Sequence, residues 1–565
     1  MGVLVKAGLT DLVVSPGSRS TPLLLAAVHT EGLELHGVRD ERAAGFFALG
    51  LARAQRCCAL LCTSGTAGAH YLPALMEAKA SGVPLLVLTA DRPPELQGMA
   101  APQTADQARL FGGYAVDFMD LGMPEADPVA LRGLARRTAY ALQRTVFPVP
   151  GPVHINVPAR KPLEPRAERR AAPSTLTQHV QDILQGPGMQ AFEPKLQPSP
   201  QGLDALLVAC EAARRPLIVA GPQAPGAAIG PALERFAVSL KAPFIAEAGS
   251  QAGLGPVPQG ILRLDGYDRI VRIPEAVHAL RPDLVVQVGP PPTSNGLLRA
   301  LQTWDAPRWI LSAHGWADAD GSAQGLIIGD LGCSLDALSS RVRTAETDYR
   351  KAWRRAERLA WSMDDDLWGE GLAVQTTLQA LERGVGLMLG NSLSIRHVET
   401  YVQGTAVAAR PVVVQRGLNG IDGLVAGACG WAQARGPLCL LLGDVSALHD
   451  ASSLELGAAL EVPLPIVVLD NAGGRIFEAL PVHDAAPQAR ASFITSPKVR
   501  WSALAEAYGL PWASACSAAE LEQALSAAQA RAGASLIQVQ VPPSGARQQL
   551  QTLQSRLQDM WRQTS

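Results

Sequence analysis

The chain has 565 residues, of which 47% are apolar, and a formal net charge of −2 at pH 7. This length predicts roughly two to four domains. The near-neutral charge gives no general reason to expect nucleic acid or an anionic membrane as a partner. No apolar run reaches the length of about 18 residues that a membrane span needs. The start, MGVLVKAGLTD, lacks the charged beginning and long apolar core of a signal peptide.

The eight cysteines are sparse for this length, and several lie in apolar segments such as ALLCTSG and PLCLLLG. This favours buried free thiols in a reducing, cytoplasmic environment over disulfides.

Apolar runs alternate with helical segments over residues 1–165, as in DLVVSPGSRS, ERAAGFFALGLARA and VPLLVLTADRP. This alternation is typical of an α/β domain with a mostly parallel sheet. Residues 166–200 are rich in proline and charge, which predicts a linker. A second α/β domain is predicted over 201–345, without a G-x-G-x-x-G after a strand, so a nucleotide site there has weak support. The third domain, 346–565, is predicted to begin with a solvated connecting helix.

Asp444 and Asn471 each follow an apolar run, LCLLLG and PLPIVVLD, and a segment of helical length separates them. A right-handed strand–helix–strand crossover brings both strand ends to one edge of a parallel sheet, where ligands bind. A carboxylate and an amide oxygen there suit a hard cation such as Mg²⁺ carrying a phosphate. A lone aspartate after such a run is more often a turn residue. A Walker-B aspartate would need a G-x-x-x-x-G-K-[ST] loop, which the sequence lacks.

An internal repeat strengthens this reading. Residues 60–90 align with 441–471 without a gap, so that LLCTSG matches LLGDVS and PLLVLTA matches PIVVLDN. Thr63 then matches Asp444, and Ala90 matches Asn471. The first and third domains are therefore predicted to be two copies of one fold, of which the third alone keeps the metal ligands.

Several motifs carry a family resemblance. G-D-x-S at Gly443, followed by N-x-G-G at Asn471, resembles the signature of thiamine diphosphate enzymes. SPGSRSTPL, TSGTA, TADRPPEL, GNSLSIR and RGLNGIDGL together resemble the family of 2-succinyl-5-enolpyruvyl-6-hydroxy-3-cyclohexene-1-carboxylate synthases. The resemblance implies a transferase with a pyrimidine-binding domain (1–165), a central domain (201–345) and a diphosphate-binding domain (346–565).

The resemblance also implies the cofactors thiamine diphosphate and Mg²⁺, with Mn²⁺ as an alternative ion. It assigns Asp444, Asn471 and the carbonyl of Gly473 to the cation. Glu41, in VRDER, would contact the aminopyrimidine ring, although a charged helix start taken alone is usually solvated. Ile421 would hold the cofactor bent, although core packing explains it equally well. Further cofactor contacts are assigned to Asn391, Ser392, Gly443 and Ser446.

The implied reaction decarboxylates 2-oxoglutarate and adds the succinyl unit to isochorismate in a 1,4-sense, a step of menaquinone biosynthesis. Both substrates are dicarboxylates, which guanidinium groups match in a bidentate manner. The residues assigned to catalysis and substrate binding are Glu41, Ser18, Arg19, Gln103, Arg396 and Arg416. Two positions depart from the family pattern: Asn295 stands where the family often has a lysine, with Arg299 nearby, and Asp470 replaces a usual asparagine, adding negative charge beside the metal.

As partners, the resemblance implies small-molecule substrates and a homo-oligomer, dimer or tetramer, with active sites at the subunit interface. Glu41 and Asp444 of one site would come from different chains, and no nucleic acid or integral membrane association is expected. Another thiamine diphosphate decarboxylase or carboligase, similar to acetolactate synthase, remains an alternative. An inactive homologue acting as a regulatory subunit would have lost Glu41, Asp444 or Asn471, and all three are present. A regulator that binds a nucleotide through the central domain is a third alternative. The absence of a G-x-G-x-x-G after a strand in that domain argues against it.

Overall fold

A computed structural model describes residues 1–165, 174–186, 188, 191–192, 194–227, 229–345, 347–363, 367–543 and 545–564. The chain divides into two compact units. The first comprises Met1–Glu193, Gln415–Arg435 and His449–Leu460. The second comprises Pro194–Val414, Gly436–Leu448 and Glu461–Ser565.

The N-terminal part alternates strands and helices. Its strands are β1 (Asp11–Val14), β2 (Glu34–Gly37), β3 (Cys58–Cys62), β4 (Leu85–Asp91), β5 (Asp117–Asp120) and β6 (Pro152–Pro158). Its helices are α1 (Gly2–Lys6), α2 (Thr21–Val28), α3 (Glu41–Arg53), α4 (Leu72–Ala80), α5 (Pro128–Arg144) and α6 (Ser174–Gln185). The strands pair in parallel in the order β2-β1-β3-β4-β6-β5. Helix α6 falls within the predicted linker 166–200, of which residues 166–173, 187, 189–190 and 193 lie outside the described residues.

The central part forms a second parallel sheet in the order β11-β10-β9-β7-β8. Its strands are β7 (Pro216–Ala220), β8 (Phe244–Ala246), β9 (Leu284–Val288), β10 (Arg308–Ser312) and β11 (Gly325–Ile328). The helices of this part are α7 (Pro200–Ala212), α8 (Gly230–Leu240), α9 (Tyr267–Ile270), α10 (Pro274–Ala279), α11 (Asn295–Trp304), α12 (Leu331–Arg341) and α13 (Asp348–Ala360).

The C-terminal part contains the third sheet. Its strands are β12 (Gly386–Leu389), β13 (Val412–Val414), β14 (Leu438–Gly443), β15 (Pro463–Asp470), β16 (Trp512–Ala515) and β17 (Gly533–Gln540). Its helices are α14 (Glu370–Ala380), α15 (Leu393–Tyr401), α16 (Leu424–Arg435), α17 (Asp444–His449), α18 (Leu454–Ala458), α19 (Val482–Ala485), α20 (Arg490–Ile494), α21 (Trp501–Ala507), α22 (Ala518–Gln529) and α23 (Gly545–Thr564). Helices α16 and α18 belong to the first compact unit.

The third sheet repeats the topology of the first. Its order, β13-β12-β14-β15-β17-β16, is the order of the first sheet with each strand replaced by its counterpart. The repeat found in the sequence pairs β3 with β14 and β4 with β15, which agrees with this correspondence. The predicted fold class, α/β domains with mostly parallel sheets and related first and third domains, is confirmed.

Each sheet is covered by its own apolar core, because parallel strands are buried on both faces. In the first sheet the core includes Leu12, Leu61 and Leu88, and in the third it includes Leu387, Leu441 and Val467. These continuous apolar runs are the signal from which the strands were predicted. All eight cysteines are free, as expected. Among the described residues, none of the helices is long and apolar enough to cross a membrane.

The predicted connecting helix at the start of the third domain is α13, but it is not fully solvated. One face of α13 is buried, and Tyr349, Trp353 and Ala356 join a core cluster of the central part. The abundant charges on the opposite face suggested a fully solvated helix, whereas its aromatic residues recur at helical spacing and form a core-facing stripe.

Helices α3 and α16 pack very closely within the first unit. A Cβ added at Gly50 would lie 2.1 Å from the carbonyl oxygen of Gly427, and one added at Gly430 would lie 2.0 Å from that of Phe47. Glycine is therefore required at these crossings, because a methyl group would overlap the facing backbone. This contact explains the small residues in the helix that begins with Glu41.

Candidate active site

Asp444 and Asn471 lie at the carboxyl ends of neighbouring parallel strands in the second unit. β14 and β15 pair with Gly443 opposite Leu469, so the residues that follow them come out at one edge. Asp444 and Asn471 are 1% and 5% exposed. The backbone N–H of Gly473 donates to Oδ2 of Asp444 over 2.7 Å, which ties the two strand ends together. The predicted juxtaposition is therefore present in the structure.

Burial disfavours the ionised form of the Asp444 carboxyl group. Burial raises the pKa of Asp444 to about 6, and the nearby charges of Asp470 and Glu370 add to the rise. Hydrogen bonds from the backbone N–H groups of Val445 and Gly473 oppose it. A carboxylate disfavoured by burial and by negative neighbours is stabilised by a cation.

Asn471 presents an unsatisfied oxygen. Its Nδ2 donates to Oε1 of Glu370 over 2.9 Å, while its Oδ1 is buried and has no hydrogen-bond partner among the described residues. The other Glu370 oxygen lies 2.8 Å from Nε2 of His397. Burial alone would raise the pKa of Glu370, but His397 and the Asn471 bond hold it below its ordinary value. A buried oxygen without a donor is costly unless a ligand pairs with it, so Asp444 and Asn471 fit a cation.

Gly473, the third predicted metal ligand, has a backbone that only glycine adopts readily. Its φ is +122°, and a Cβ there would lie 2.3 Å from the carbonyl oxygen of Ile494. Its own carbonyl accepts from the N–H of Arg475 over 2.8 Å, which leaves one lone pair for a cation.

Asp470, the residue expected to add charge beside the metal, accepts hydrogen bonds from two side chains. Its Oδ2 accepts from Nε1 of Trp501 over 3.0 Å and from Nε2 of Gln538 over 2.7 Å. These donors offset part of its charge, although that charge still contributes to the raised pKa of Asp444.

The residues predicted to contact the diphosphate also lie in the second unit. Ser446, two residues after Asp444, is buried in α17, and Gly443 has open space where a Cβ would be. Asn391 is buried, and Ser392 adopts φ +69° immediately before α15. The positive φ turns the chain sharply between β12 and α15, at the same edge of the sheet.

Arg396 lies one turn into α15 and donates from its Nη1 to the carbonyl of Ser392 over 2.6 Å. Burial lowers the pKa of Arg396, and nearby Arg272 lowers it further, while Glu247 and Asp268 oppose this. Its Nε is buried without a hydrogen-bond partner among the described residues. A partly buried guanidinium with an unused donor is suited to a carboxylate ligand.

Asn295 and Arg299, the residues considered in place of the family lysine, are not part of the buried surroundings of Arg396. Asn295 and Arg299 are both exposed, and Nε of Arg299 donates to the carbonyl of Asn295 on its own helix. Arg272 lies close enough to Arg396 to lower its pKa, and the Arg272 guanidinium pairs with Asp268.

The first unit brings together the predicted polar residues of the N-terminal domain. Arg19 is buried, its N–H donates to Oγ1 of Thr63, and its Nη1 donates to the carbonyl of Ala159. Burial lowers the pKa of Arg19, and the charge of Arg92 lowers it further. Ser18 is exposed beside Arg19. Ser18 and Arg19 follow β1, Thr63 follows β3 and Arg92 follows β4, and the ends of these parallel strands lie at one edge of the first sheet.

Arg92 was not among the predicted site residues. Its Nη1 donates to Oγ of Ser64, and its Nη2 donates to the carbonyl of Pro102 over 3.3 Å. Gln103, which was predicted, donates to the carbonyl of Ser64 over 3.2 Å. Ser64 therefore joins Arg92 to Gln103. Arg92 lies within the motif TADRPPEL, which gave a signal for it that the prediction did not use.

Glu41 is the first residue of α3 and is partly buried. Asp40 caps the helix by accepting from the N–H of Arg42 over 2.9 Å, which fixes where the helix begins. Cys62 and Tyr71 are close enough to feel the Glu41 charge, which contributes to the raised pKa of each after burial, the main cause. The Glu41 carboxylate therefore lies near the thiol of Cys62 and the phenol of Tyr71.

Arg416 and Ile421 lie on a segment that a buried glutamate holds. Glu77 accepts from the N–H groups of Gly417 and Leu418 over 3.0 and 2.7 Å. Glu77 also forms a 2.6 Å ion pair with Arg53, and both side chains are about 5% exposed or less. The sequence missed Glu77, because LPALMEAKA reads as an ordinary surface helix. Ile421 is half-buried.

Comparison with known proteins finds family matches for the N-terminal and the C-terminal part of the chain. Residues 1–110 match the family described as thiamine pyrophosphate enzyme, N-terminal TPP binding domain, and residues 406–539 match its C-terminal TPP binding domain. A benzoylformate decarboxylase structure from Polynucleobacter necessarius has the same fold, with a TM-score of 0.71, 16% identity, and coverage of 96% of this chain and 97% of that one.

Proteins named 2-succinyl-5-enolpyruvyl-6-hydroxy-3-cyclohexene-1-carboxylate synthase are similar over most of the chain. The protein from Sorangium cellulosum is 39% identical, over 96% of this chain and 91% of its own. The one from Geobacillus kaustophilus is 38% identical over 85% and 83%, and the one from Synechococcus elongatus is 36% identical over 92% and 89%. The chain therefore belongs to the 2-succinyl-5-enolpyruvyl-6-hydroxy-3-cyclohexene-1-carboxylate synthase family of thiamine diphosphate-dependent enzymes.

Proposed function

We propose that this enzyme uses thiamine diphosphate and Mg²⁺ to decarboxylate 2-oxoglutarate and to add the succinyl unit to isochorismate, a step of menaquinone biosynthesis. The observation that carries the cofactor part is the buried Oδ1 of Asn471, which lacks a hydrogen-bond partner among the described residues beside the disfavoured carboxylate of Asp444.

Mg²⁺ would be held by Asp444, Asn471 and the free lone pair of the Gly473 carbonyl. Hard cations prefer oxygen ligands, and Mg²⁺ keeps only a few protein ligands alongside phosphate oxygens. Mn²⁺ suits the same oxygen donors. Ser392, Ser446 and the open space at Gly443 would receive the diphosphate.

When bound, thiamine diphosphate supplies a stabilised carbanion and an electron sink for decarboxylation. Glu41 would donate a hydrogen bond to its pyrimidine ring, and the half-buried Ile421 would fix its bent conformation. The protein's remaining contribution is positioning and charge, because the reaction asks little of general acid–base side chains.

We infer the substrates from the reaction product in the name that the relatives carry. A succinyl group has one carbon fewer than 2-oxoglutarate, and the enolpyruvyl hydroxycyclohexene carboxylate part corresponds to isochorismate. Both are dicarboxylates, so the site needs several cations. Four arginines would bind these carboxylates, namely Arg19, Arg92, Arg396 and Arg416, with Ser18 and Gln103 as polar contacts.

We also propose that the enzyme is a homo-oligomer in which each active site takes Glu41 from one chain and Asp444 from another. This proposal rests on the resemblance to the superfamily. It is tested by mixing two inactive variants, Glu41→Gln and Asp444→Ala, after mild dissociation. About one quarter of the sites in the mixture would carry neither substitution, so recovery of about one quarter of wild-type activity supports the proposal. No recovery, when subunit exchange between the two variants has been verified, contradicts it.

The main assay contains purified protein, Mg²⁺, thiamine diphosphate, 2-oxoglutarate and isochorismate. Release of CO₂ and loss of isochorismate should be equal and should require both substrates for full rate. Pyruvate replacing 2-oxoglutarate as the preferred donor would favour an acetolactate-synthase-like enzyme instead.

Arg396→Met tests the substrate site against a matched control. Removing a charge-assisted bond to a carboxylate should raise the KM of one substrate by roughly tenfold or more, at about 1.5–3 kcal/mol for such a bond. Arg299→Met removes an exposed arginine that bonds its own helix and should leave both KM values unchanged. Equal effects of the two substitutions would contradict the assignment of Arg396.

A further inference from the structure

A buried hydrogen-bond chain runs from α15 through α14 to the end of β15. Nε2 of His397 lies 2.8 Å from one carboxylate oxygen of Glu370, and the other oxygen accepts from Nδ2 of Asn471 over 2.9 Å. His397, Glu370 and Asn471 are 6%, 2% and 5% exposed. Neither His397 nor Glu370 belongs to the residues assigned above to cofactor, metal or substrate.

Glu370 decides which way the Asn471 amide faces. The two orientations of an amide differ by the exchange of its oxygen and its nitrogen, and neighbouring groups select one of them. An ionised carboxylate only accepts, so the NH₂ group must face Glu370 and the oxygen must face away. That oxygen is the buried Oδ1 without a hydrogen-bond partner among the described residues. In the opposite orientation, two acceptors would meet and the NH₂ group would face the cation.

Asp444 needs no such partner. Its two oxygens are equivalent as ligands, and backbone N–H groups of Val445 and Gly473 already fix its position. Asn471 is the one predicted side-chain ligand whose function depends on orientation, and Glu370 accepts a hydrogen bond from its side-chain amide.

We propose that Glu370 is a positioning residue for the metal ion: it turns Oδ1 of Asn471 toward the cation, and His397 holds Glu370 in place. The inference rests on the proposed metal site. Hydrogen-bond partners behind a metal ligand commonly change metal affinity when removed, because they orient the ligand. Simple attachment of α14 to α15 by a Glu370–His397 ion pair is the competing explanation, and the two differ in what substitution does to metal binding.

The first test measures Mn²⁺ affinity by electron paramagnetic resonance, at saturating thiamine diphosphate, in the full-length protein. Glu370→Leu should weaken Mn²⁺ binding roughly 10- to 100-fold, the range typical for loss of such a partner. Thr377→Val is the matched control, because Thr377 is equally buried in α14 but bonds only the carbonyl of Ala373 in its own helix. An affinity loss for Glu370→Leu within twofold of that for Thr377→Val overturns the proposal.

The second test separates orientation from charge and from folding. A carboxylate offers oxygen in either orientation, so the effect of Glu370→Leu should disappear or change sign when Asn471→Asp is also present. Loss of general electrostatic attraction, or of folding, would weaken Mn²⁺ binding by the same factor with and without Asn471→Asp. If Glu370→Leu weakens Mn²⁺ binding by the same factor in the wild-type protein and in the Asn471→Asp variant, the proposal is overturned.

The two failures are distinguishable. A wild-type protein that binds no Mn²⁺ in the presence of thiamine diphosphate overturns the proposed metal site and this inference together. A wild-type protein that binds Mn²⁺ while the two backgrounds respond equally overturns the inference alone. Thermal unfolding of each metal-free variant accompanies the binding measurements, so that an unfolded variant is not counted as a weak binder.

Discussion

Removal of the Asp444 charge should stabilise the metal-free enzyme in a pH-dependent manner. The pKa of Asp444 is raised from 3.8 to about 6, mainly by burial. At about 1.4 kcal/mol per pKa unit, the ionised carboxylate costs the folded state roughly 3 kcal/mol. Because the folded pKa lies above the unfolded one, this cost is absent below about pH 4, grows as the pH rises, and is complete above about pH 6.

Asp444→Asn removes the titration. The asparagine also places an NH₂ group against the N–H of Gly473 or Val445, but that penalty is the same at every pH and cancels in a pH comparison. The gain in unfolding free energy of the variant over wild type should therefore rise by roughly 1.4 kcal/mol between pH 5 and pH 7.5, about half of the full effect. Urea unfolding of both metal-free proteins at each pH measures it.

A matched control and a second readout accompany this experiment. Asp336→Asn changes an exposed aspartate of the central part and should give no comparable gain. In wild type, Mn²⁺ affinity in the presence of thiamine diphosphate should be about tenfold weaker at pH 5 than at pH 7, because the metal requires the carboxylate form. A gain for Asp444→Asn that does not change with pH would refute the reasoning.

Two further predictions concern the first unit. Glu77→Gln breaks the buried ion pair with Arg53 and should lower the free energy of unfolding by roughly 3 kcal/mol or more. Amide hydrogen exchange at Gly417 should become faster, because its N–H donates to Glu77. A loss below about 1 kcal/mol would contradict this prediction. Gly50→Ala places a methyl group 2.1 Å from the Gly427 carbonyl oxygen and should lower the free energy of unfolding in urea by about 1–3 kcal/mol. Gly133→Ala is the control, because a Cβ at this position of α5 meets no atom within 4 Å, and it should stabilise the protein. Equal changes in the two variants would contradict the close crossing of α3 and α16.

The strands, and the strand ends at which Asp444 and Asn471 lie, could be predicted because their signals are local. A buried parallel strand is a continuous apolar run, and Asp444 and Asn471 directly follow two such runs. The repeat added a second local comparison, since Thr63 and Ala90 occupy the equivalent ends without metal ligands. The shared strand order of the first and third sheets confirms that the two domains repeat one topology.

Residues that act through tertiary contacts were not predictable in this way. Glu370 lies at the start of a helix and Glu77 in the middle of one, where a glutamate is ordinarily solvated. Their burial becomes visible only when the partners Asn471, His397 and Arg53 are brought next to them by the fold. The same holds for α13, whose charges are evident in the sequence while its core-facing stripe has meaning only once a core lies beside it.

The proposed metal site contains more negative charge than its predicted ligands suggest. Glu370 is held ionised by His397 although it is buried, and its charge raises the pKa of Asp444. A cation is the one species that lowers the energy of both carboxylates and also satisfies the buried oxygen of Asn471. The arrangement that orients Asn471 is thus the arrangement that makes the metal-free site unfavourable. Asp444→Asn, which removes the carboxylate that burial disfavours, should therefore raise the stability of the free protein at neutral pH while lowering its metal affinity.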